Sequence, residues 1–196
     1  MNNHIISDQE KANWVLDPIH SDLSFNVRHL MISSVTGTIK SFDLNLNTVG
    51  TDFGDVTDLQ LKIAMSSLTT NNEPRDEHLT SDAFFDVEHY PHIDFQGIFF
   101  EKQGQDPSSM FSAYRRDYKL RGKLTIKGIS KVIILNGEFG GTTVTEAGVK
   151  HAGFTVRGTI SRAEFGLSLA GLDGVGKLVL GDEVNIEGNI RLTKEA

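Results

Sequence analysis

The sequence contains no cysteine, which excludes disulfides, thiolate zinc sites and a cysteine nucleophile and leaves the fold to stand on packing alone. It also lacks any dense tract of lysine and arginine; 19 basic residues face 26 acidic ones, for a formal net charge of −7. The electrostatic footprint of a phosphate-backbone binder is missing, so nucleic acid is not an expected partner. No apolar run approaches the roughly 18 residues needed to cross a bilayer. The opening MNNHIISDQEKAN has no basic stretch, apolar segment or small-residue cleavage site of a secretory leader. The expectation is a chain with no integral membrane segment, cytoplasmic as written, or periplasmic if a leader has been trimmed from it.

What the sequence does have is alternation. From Tyr118 through Leu120, Gly122, Leu124 and Ile126, apolar positions interleave with Lys119, Arg121, Lys123, Thr125 and Lys127, the period-2 pattern of a half-buried strand. Val184, Ile186, Gly188, Ile190 and Leu192 alternate with Asn185, Glu187, Asn189 and Arg191 in the same way. Shorter versions run through Leu23, Phe25 and Val27; Leu59, Leu61, Ile63 and Met65; Ile93, Phe95, Gly97 and Phe99; and Phe154, Val156, Gly158 and Ile160. Between Ile39 and Phe42 the phase shifts, which predicts a bulge or bend near Ser41.

Glycine recurs inside these strands at Gly37, Gly97, Gly122, Gly158 and Gly188. Glycine weakens a strand unless the sheet must bend sharply or leave room, so curvature or an internal cavity is expected. One segment reads as a helix, Asn71 to Leu79, with Asn72 as cap and Pro74 early in the first turn. The 196 residues suit one all-β domain, here 1–196 with a polar extension over 1–13.

Three motifs come close to known chemistry without completing it. Gly171 to Leu178, GLDGVGKL, has Leu178 where a P-loop needs the Ser or Thr that holds Mg²⁺, and it runs into a strand instead of a helix. Ser168 between Gly166 and Ala170 lacks the second glycine of a nucleophile elbow and any βαβ rhythm around it. His89 with His92, or His92 with Asp94, approximates metal-ligand spacing, but Pro91 breaks any helix that would align the first pair. The second pair alternates with Ile93 and Phe95 as a solvated strand side would. No metal is expected. The run Arg75 to Leu79, with Phe84, Phe85 and Asp86 after it, is denser in charge and aromatics than a loop needs. Read structurally, it is a helix end whose arginine pairs with a carboxylate, followed by aromatics plugging one barrel end.

Read together, Trp14 to Pro18 with His20 and Ser21, Phe25, Val27 to His29, Gly37 before Phe42, Asn72 with the RDEHL run, Phe84 to Asp86, Tyr90 and Pro91 with Ile93 and Phe95, Gly122 to Lys131, and Gly181 to Val184 resemble the YceI-like family of bacterial polyisoprenoid-binding proteins. The resemblance runs from Trp14 to about Leu192. It departs at Ser130, where the family often has Thr, and in a long polar insert from Gln103 to Arg116. It implies a single antiparallel, eight-stranded, lipocalin-like barrel with one short helix in the connection near 71–79. The implied role is non-catalytic binding, transport or storage of a long-chain isoprenoid, a polyprenyl phosphate or a quinone, in a bacterial and stress-related setting, with no cofactor beyond that lipid.

An eight-stranded barrel has space for about one ligand, and the apolar strand faces supply a wall. The expected wall residues are Phe25, Val27, Phe42, Leu61, Ile63, Phe85, Phe95, Phe99, Leu124, Ile126, Phe154 and Val156. A head group would sit at the mouth, where Arg75 could make charge-assisted hydrogen bonds and His29 or His78 could donate. Two other functions compete. One is an enzyme acting on an apolar substrate in the same cavity through the scattered histidines and carboxylates. The other is an interaction module using the outer basic face of Lys119, Arg121, Lys123 and Lys127, whose plain alternative is a solvated strand face. The barrel could also pair as a homodimer.

Overall fold

A computed structural model of the chain describes residues 11–29, 33–50, 53, 56–103, 116–168 and 180–195. The P-loop-like stretch Gly171 to Leu178, residues 1–10 of the extension read over 1–13 and most of the Gln103 to Arg116 insert lie outside them; Lys11 to Asn13, read as extension, instead begin a strand in which Ala12 is buried. The strands are β1 (Lys11–Leu16), β2 (Asp22–His29), β3 (Ser33–Ile39), β4 (Phe42–Val49), β5 (Val56–Ala64), β6 (Leu68–Thr69), β7 (His92–Lys102), β8 (Arg116–Ile126), β9 (Ile129–Val144), β10 (Lys150–Ser161) and β11 (Leu180–Lys194), with one helix, α1 (Glu73–Thr80), between β6 and β7. All pairings are antiparallel. The order β1-β4-β5-β7-β8-β9-β10-β11 closes on itself where Trp14 of β1 meets Lys194 of β11, giving a closed eight-stranded barrel.

The short strands are pieces of longer ones. β1 pairs with β11 up to Leu16↔Leu192, and β2 resumes the same partner at Asp22↔Asn189. Likewise β3 and β4 share one stave broken at Lys40 and Ser41, and β5 and β6 share another broken at the 3-10 turn Met65–Ser67. The three breaks form one corner across neighbouring staves. Ser67 stitches it, its hydroxyl accepting the Ser41 amide at 2.9 Å, while the Ala64 amide donates to the Ser41 carbonyl at 3.0 Å. At the first stave Arg191 does the same work, its amide donating to Ser21 Oγ at 2.9 Å and its Nε lying 3.4 Å from Asp17. The phase shift read between Ile39 and Phe42 falls at this corner.

Gly97 lies at a bulge and Gly158 and Gly188 line the cavity described below, as expected of glycines that bend a sheet or leave room, whereas Gly37 and Gly122 play a different part. A Cβ on Gly37 would lie 2.3 Å from the ring of Phe25, and one on Gly122 would lie 2.1 Å from the ring of Phe95. These glycines do not simply leave empty channel; they let a neighbouring phenylalanine lie flat on the wall. At the β8–β9 hairpin, Lys127 and Gly128 both take positive φ, 48° and 73°, the two-residue primed turn that matches strand twist. Lys127 therefore leaves the basic strand face assigned to it. Half-buried at the turn, its ammonium donates to the carbonyl of Phe84 at 2.6 Å.

Candidate functional site

Inward side chains at one end of the barrel form an aromatic floor. Trp14 and Phe53 have ring centroids 4.8 Å apart, Phe53 and Phe154 4.9 Å, Phe139 and Phe154 5.0 Å, and Phe100 and Tyr118 4.6 Å. Trp14, Phe53 and Tyr118 are buried. The indole N–H, which would otherwise be orphaned, donates to Thr48 Oγ1 at 3.2 Å. Offset and edge-on contacts of this kind add to burial itself.

Above the floor lies a cavity of about 410 Å³, within the range of about 300–1,000 Å³ usual for small-molecule pockets. Its wall includes Phe25, Val27, Leu61, Ile63, Phe85, Phe95, Leu124, Ile126, Phe154 and Val156. Two residues expected there are elsewhere. Phe42 is buried in the core just past the corner but does not line the cavity. Phe99 is 58% exposed on the outer surface. The β7–β8 register slips between Gly97 and Phe99, so Gly97 opposes Gly122 and Phe99 opposes Arg121, with Ile98 left over. This bulge turns Ile98 and Phe99 outward and brings Phe100 in, against Tyr118. Ile133, Leu135, Ile160, Val184, Ile186 and Ile190 also line the cavity; those on β10 and β11 belong to alternations visible in the sequence.

The other end carries the polar groups. Arg75, His78 and His29 line the cavity there, with His78 exposed and Arg75 and His29 half-buried. Local sequence positions Arg75. Asn72 accepts its amide at 3.1 Å as the helix cap, with Pro74 in the first turn. Arg75 Nε donates to Thr70 Oγ1 at 2.7 Å and Nη2 to the Thr70 carbonyl at 3.1 Å. Asp76 is the second half of the same clamp. It accepts from the Thr70 hydroxyl, from the Thr70 amide at 2.9 Å and from Thr69 Oγ1 at 2.8 Å. Burial pushes the Asp76 carboxyl up, yet these hydrogen bonds and the charge of Arg75 outweigh it and hold the group below its ordinary 3.8.

A further cation faces the cavity that the sequence reading missed. Arg162, 6% exposed, donates from Nε to the Gly181 carbonyl at 3.0 Å, from Nη2 to Leu180 at 3.2 Å and from Nη1 to Leu167. It continues the inward phase of Phe154, Val156, Gly158 and Ile160, a signal that was available. Arg157 also borders the cavity, but Glu187 neutralises it through two hydrogen bonds of 3.1 Å. The charge left facing the cavity from the described residues is therefore positive.

Ser168 is exposed, its amide donating to the Gly166 carbonyl at 3.1 Å. His89 bonds Asp86 at 2.8 Å, while His92 and Asp94 are exposed on β7. Among the described residues no three of these types cluster as metal ligands, and no helix is long and apolar enough to cross a membrane.

Residues 14–192 match the YceI-like domain. The chain belongs to the YceI-like family. A UPF0312 protein of Staphylococcus epidermidis is 33% identical to this YceI-like chain over 174 residues, which cover 87% of the chain and 91% of the relative. The crystal structure of the Campylobacter jejuni YCEI protein superposes with a TM-score of 0.69 at 29% identity, covering 92% of this chain and 97% of that one. A polyisoprenoid binding domain from Saccharophagus degradans, implicated in plant cell wall breakdown, gives 0.62 at 16% identity, with 91% and 97% covered. At that identity the likeness is one of fold. The YceI-like barrel fold is thus common to solved structures.

Proposed function

We propose that this protein binds and carries a long-chain isoprenoid lipid, holding its tail in the barrel and its head group at the Arg75 end, without chemistry on the lipid. The observation that carries this reading is the cavity's polarity: an aromatic floor, an aliphatic and aromatic wall, and cations at the rim. Each CH₂ withdrawn from water contributes about 0.8 kcal/mol, so a few prenyl units provide substantial affinity before ordering costs are subtracted. A cavity of about 410 Å³ takes part of a long tail, and the remainder would extend past the rim. The Saccharophagus degradans domain of the same fold, named for polyisoprenoid binding, supports the ligand class.

Between the two head groups considered, the charge favours a phosphate over a quinone. Three carbonyls hold the Arg162 guanidinium against the cavity, and Arg75 spends Nε and Nη2 on Thr70, which leaves its Nη1 to donate to a head group. Two measurements test the reading. Organic extraction of protein purified gently from its native host, followed by mass spectrometry, is expected to release an isoprenoid; a barrel that is repeatedly empty would refute carriage. Arg75→Ala is expected to weaken a polyprenyl phosphate about tenfold or more, the worth of a charge-assisted hydrogen bond, and an uncharged isoprenoid much less. Equal losses would remove the head-group role.

A further inference from the structure

The outer wall of β7, β8 and β9 has a composition that cavity binding does not explain. The bulge in β7 leaves Ile98 59% and Phe99 58% exposed, and across β8 on β9 Val132 is 52% and Ile134 57% exposed. Between these two apolar borders runs the outward row of β8. The register sets Phe99, Arg121 and Ile134 side by side, with Gln96, Lys123 and Val132 in the next row. Lys119, two residues further along β8, faces Glu101, but neither Arg121 nor Lys123 has an acidic partner among the described residues. A chain of net charge −7 thus presents free cations flanked by large apolar side chains on a convex surface.

We infer that this face docks on the surface of an anionic lipid bilayer. Long cationic side chains can reach lipid phosphates while Phe99, Ile98, Ile134 and Val132 enter among the head groups, the division of labour found where proteins lie on membranes. Charge complementarity selects the bilayer over a second copy of the chain, because a two-fold contact through one patch would bring two cationic rows together with no acidic row to meet either. The inference is independent of the cavity and of what occupies it.

The test is co-sedimentation of the full chain with vesicles of phosphatidylcholine alone and of phosphatidylcholine containing about 30% phosphatidylglycerol, where each basic residue near the surface strengthens binding about fivefold. Binding to the anionic vesicles only is expected, weakening as salt is raised. The double variant Arg121→Glu with Lys123→Glu is expected to lose at least about tenfold in partitioning, and Ile98→Ser with Phe99→Ser to weaken binding with its charge intact. All four positions are exposed, so both variants should retain the wild-type circular dichroism and melting temperature, checked alongside. The inference is overturned if the wild type ignores anionic vesicles, if both variants bind as it does, or if light scattering shows a dimer that Phe99→Ser dissolves.

Discussion

At the scale of single residues, Arg162 shows how a charge can sit in an apolar barrel: its guanidinium satisfies three backbone carbonyls at once. Replacing it with leucine leaves those carbonyls unpaired, at about 1–3 kcal/mol for each that water cannot reach. Arg162→Leu is therefore expected to lower unfolding free energy by about 3 kcal/mol or more in urea titrations; a loss below about 1 kcal/mol would mean the carbonyls find other partners. Two titrating groups should act with opposite signs. Asp76 is lowered from 3.8, so the stability its clamp contributes is full above that value and is lost as pH falls through the folded-state value. His89 is raised from 6.5, chiefly by its hydrogen bond to Asp86 and then by that carboxylate's charge; its contribution is full below 6.5 and is lost as pH rises through the folded value. Amide-exchange protection in α1, taken relative to the intrinsic rate at each pH, is expected to fall on acidification, and Asp76→Asn to remove that pH dependence of the protection. An NMR titration of His89 should move down on Asp86→Asn.

The bulge in β7 decides at the scale of elements which of two adjacent phenylalanines faces in. Ile93, Phe95, Gly97 and Phe99 alternate without a break in the sequence, so Phe99 reads as wall and Phe100 as surface. What overrides the alternation is tertiary: Phe100 stacks 4.6 Å from Tyr118 and meets Phe154 edge-on at 6.5 Å, contacts between strands that no local pattern contains. Phe100→Ala is accordingly expected to cost about 3–5 kcal/mol and Phe99→Ala within about 0.5 kcal/mol, compared by thermal denaturation; equal costs would put the bulge elsewhere. By contrast, the strands through Tyr118 to Ile126 and Val184 to Leu192, the capped helix and the break near Ser41 were legible, because period and capping chemistry are local. Arg162 was half-legible, by phase but not by residue type. Gly37 and Gly122 were legible as special and misread in purpose, since Phe25 over Gly37 and Phe95 over Gly122 are cross-strand matters. Gly122→Ala should drive the Phe95 ring into the lumen or strain the wall, at about 1–3 kcal/mol.

For the molecule as a whole, eight staves closed by β1 on β11 make a barrel without free edges. A corner stitched by Ser67 and Arg191 bends three of the staves, and aromatic rings fill one end while α1 clamps its cations at the other. The proposed holding of a molecule with a long apolar tail and a charged head rests on the asymmetry of those ends. Native mass spectrometry of the protein and of Val156→Phe, a substitution that fills the lumen from the middle of β10, tests this most directly when both are purified from the native host without detergent. The expected result is a wild-type protein carrying an adduct that fragments at isoprene spacing, with the adduct gone or much reduced in a folded Val156→Phe. An empty wild-type barrel, or an adduct kept in full by the filled one, would contradict it.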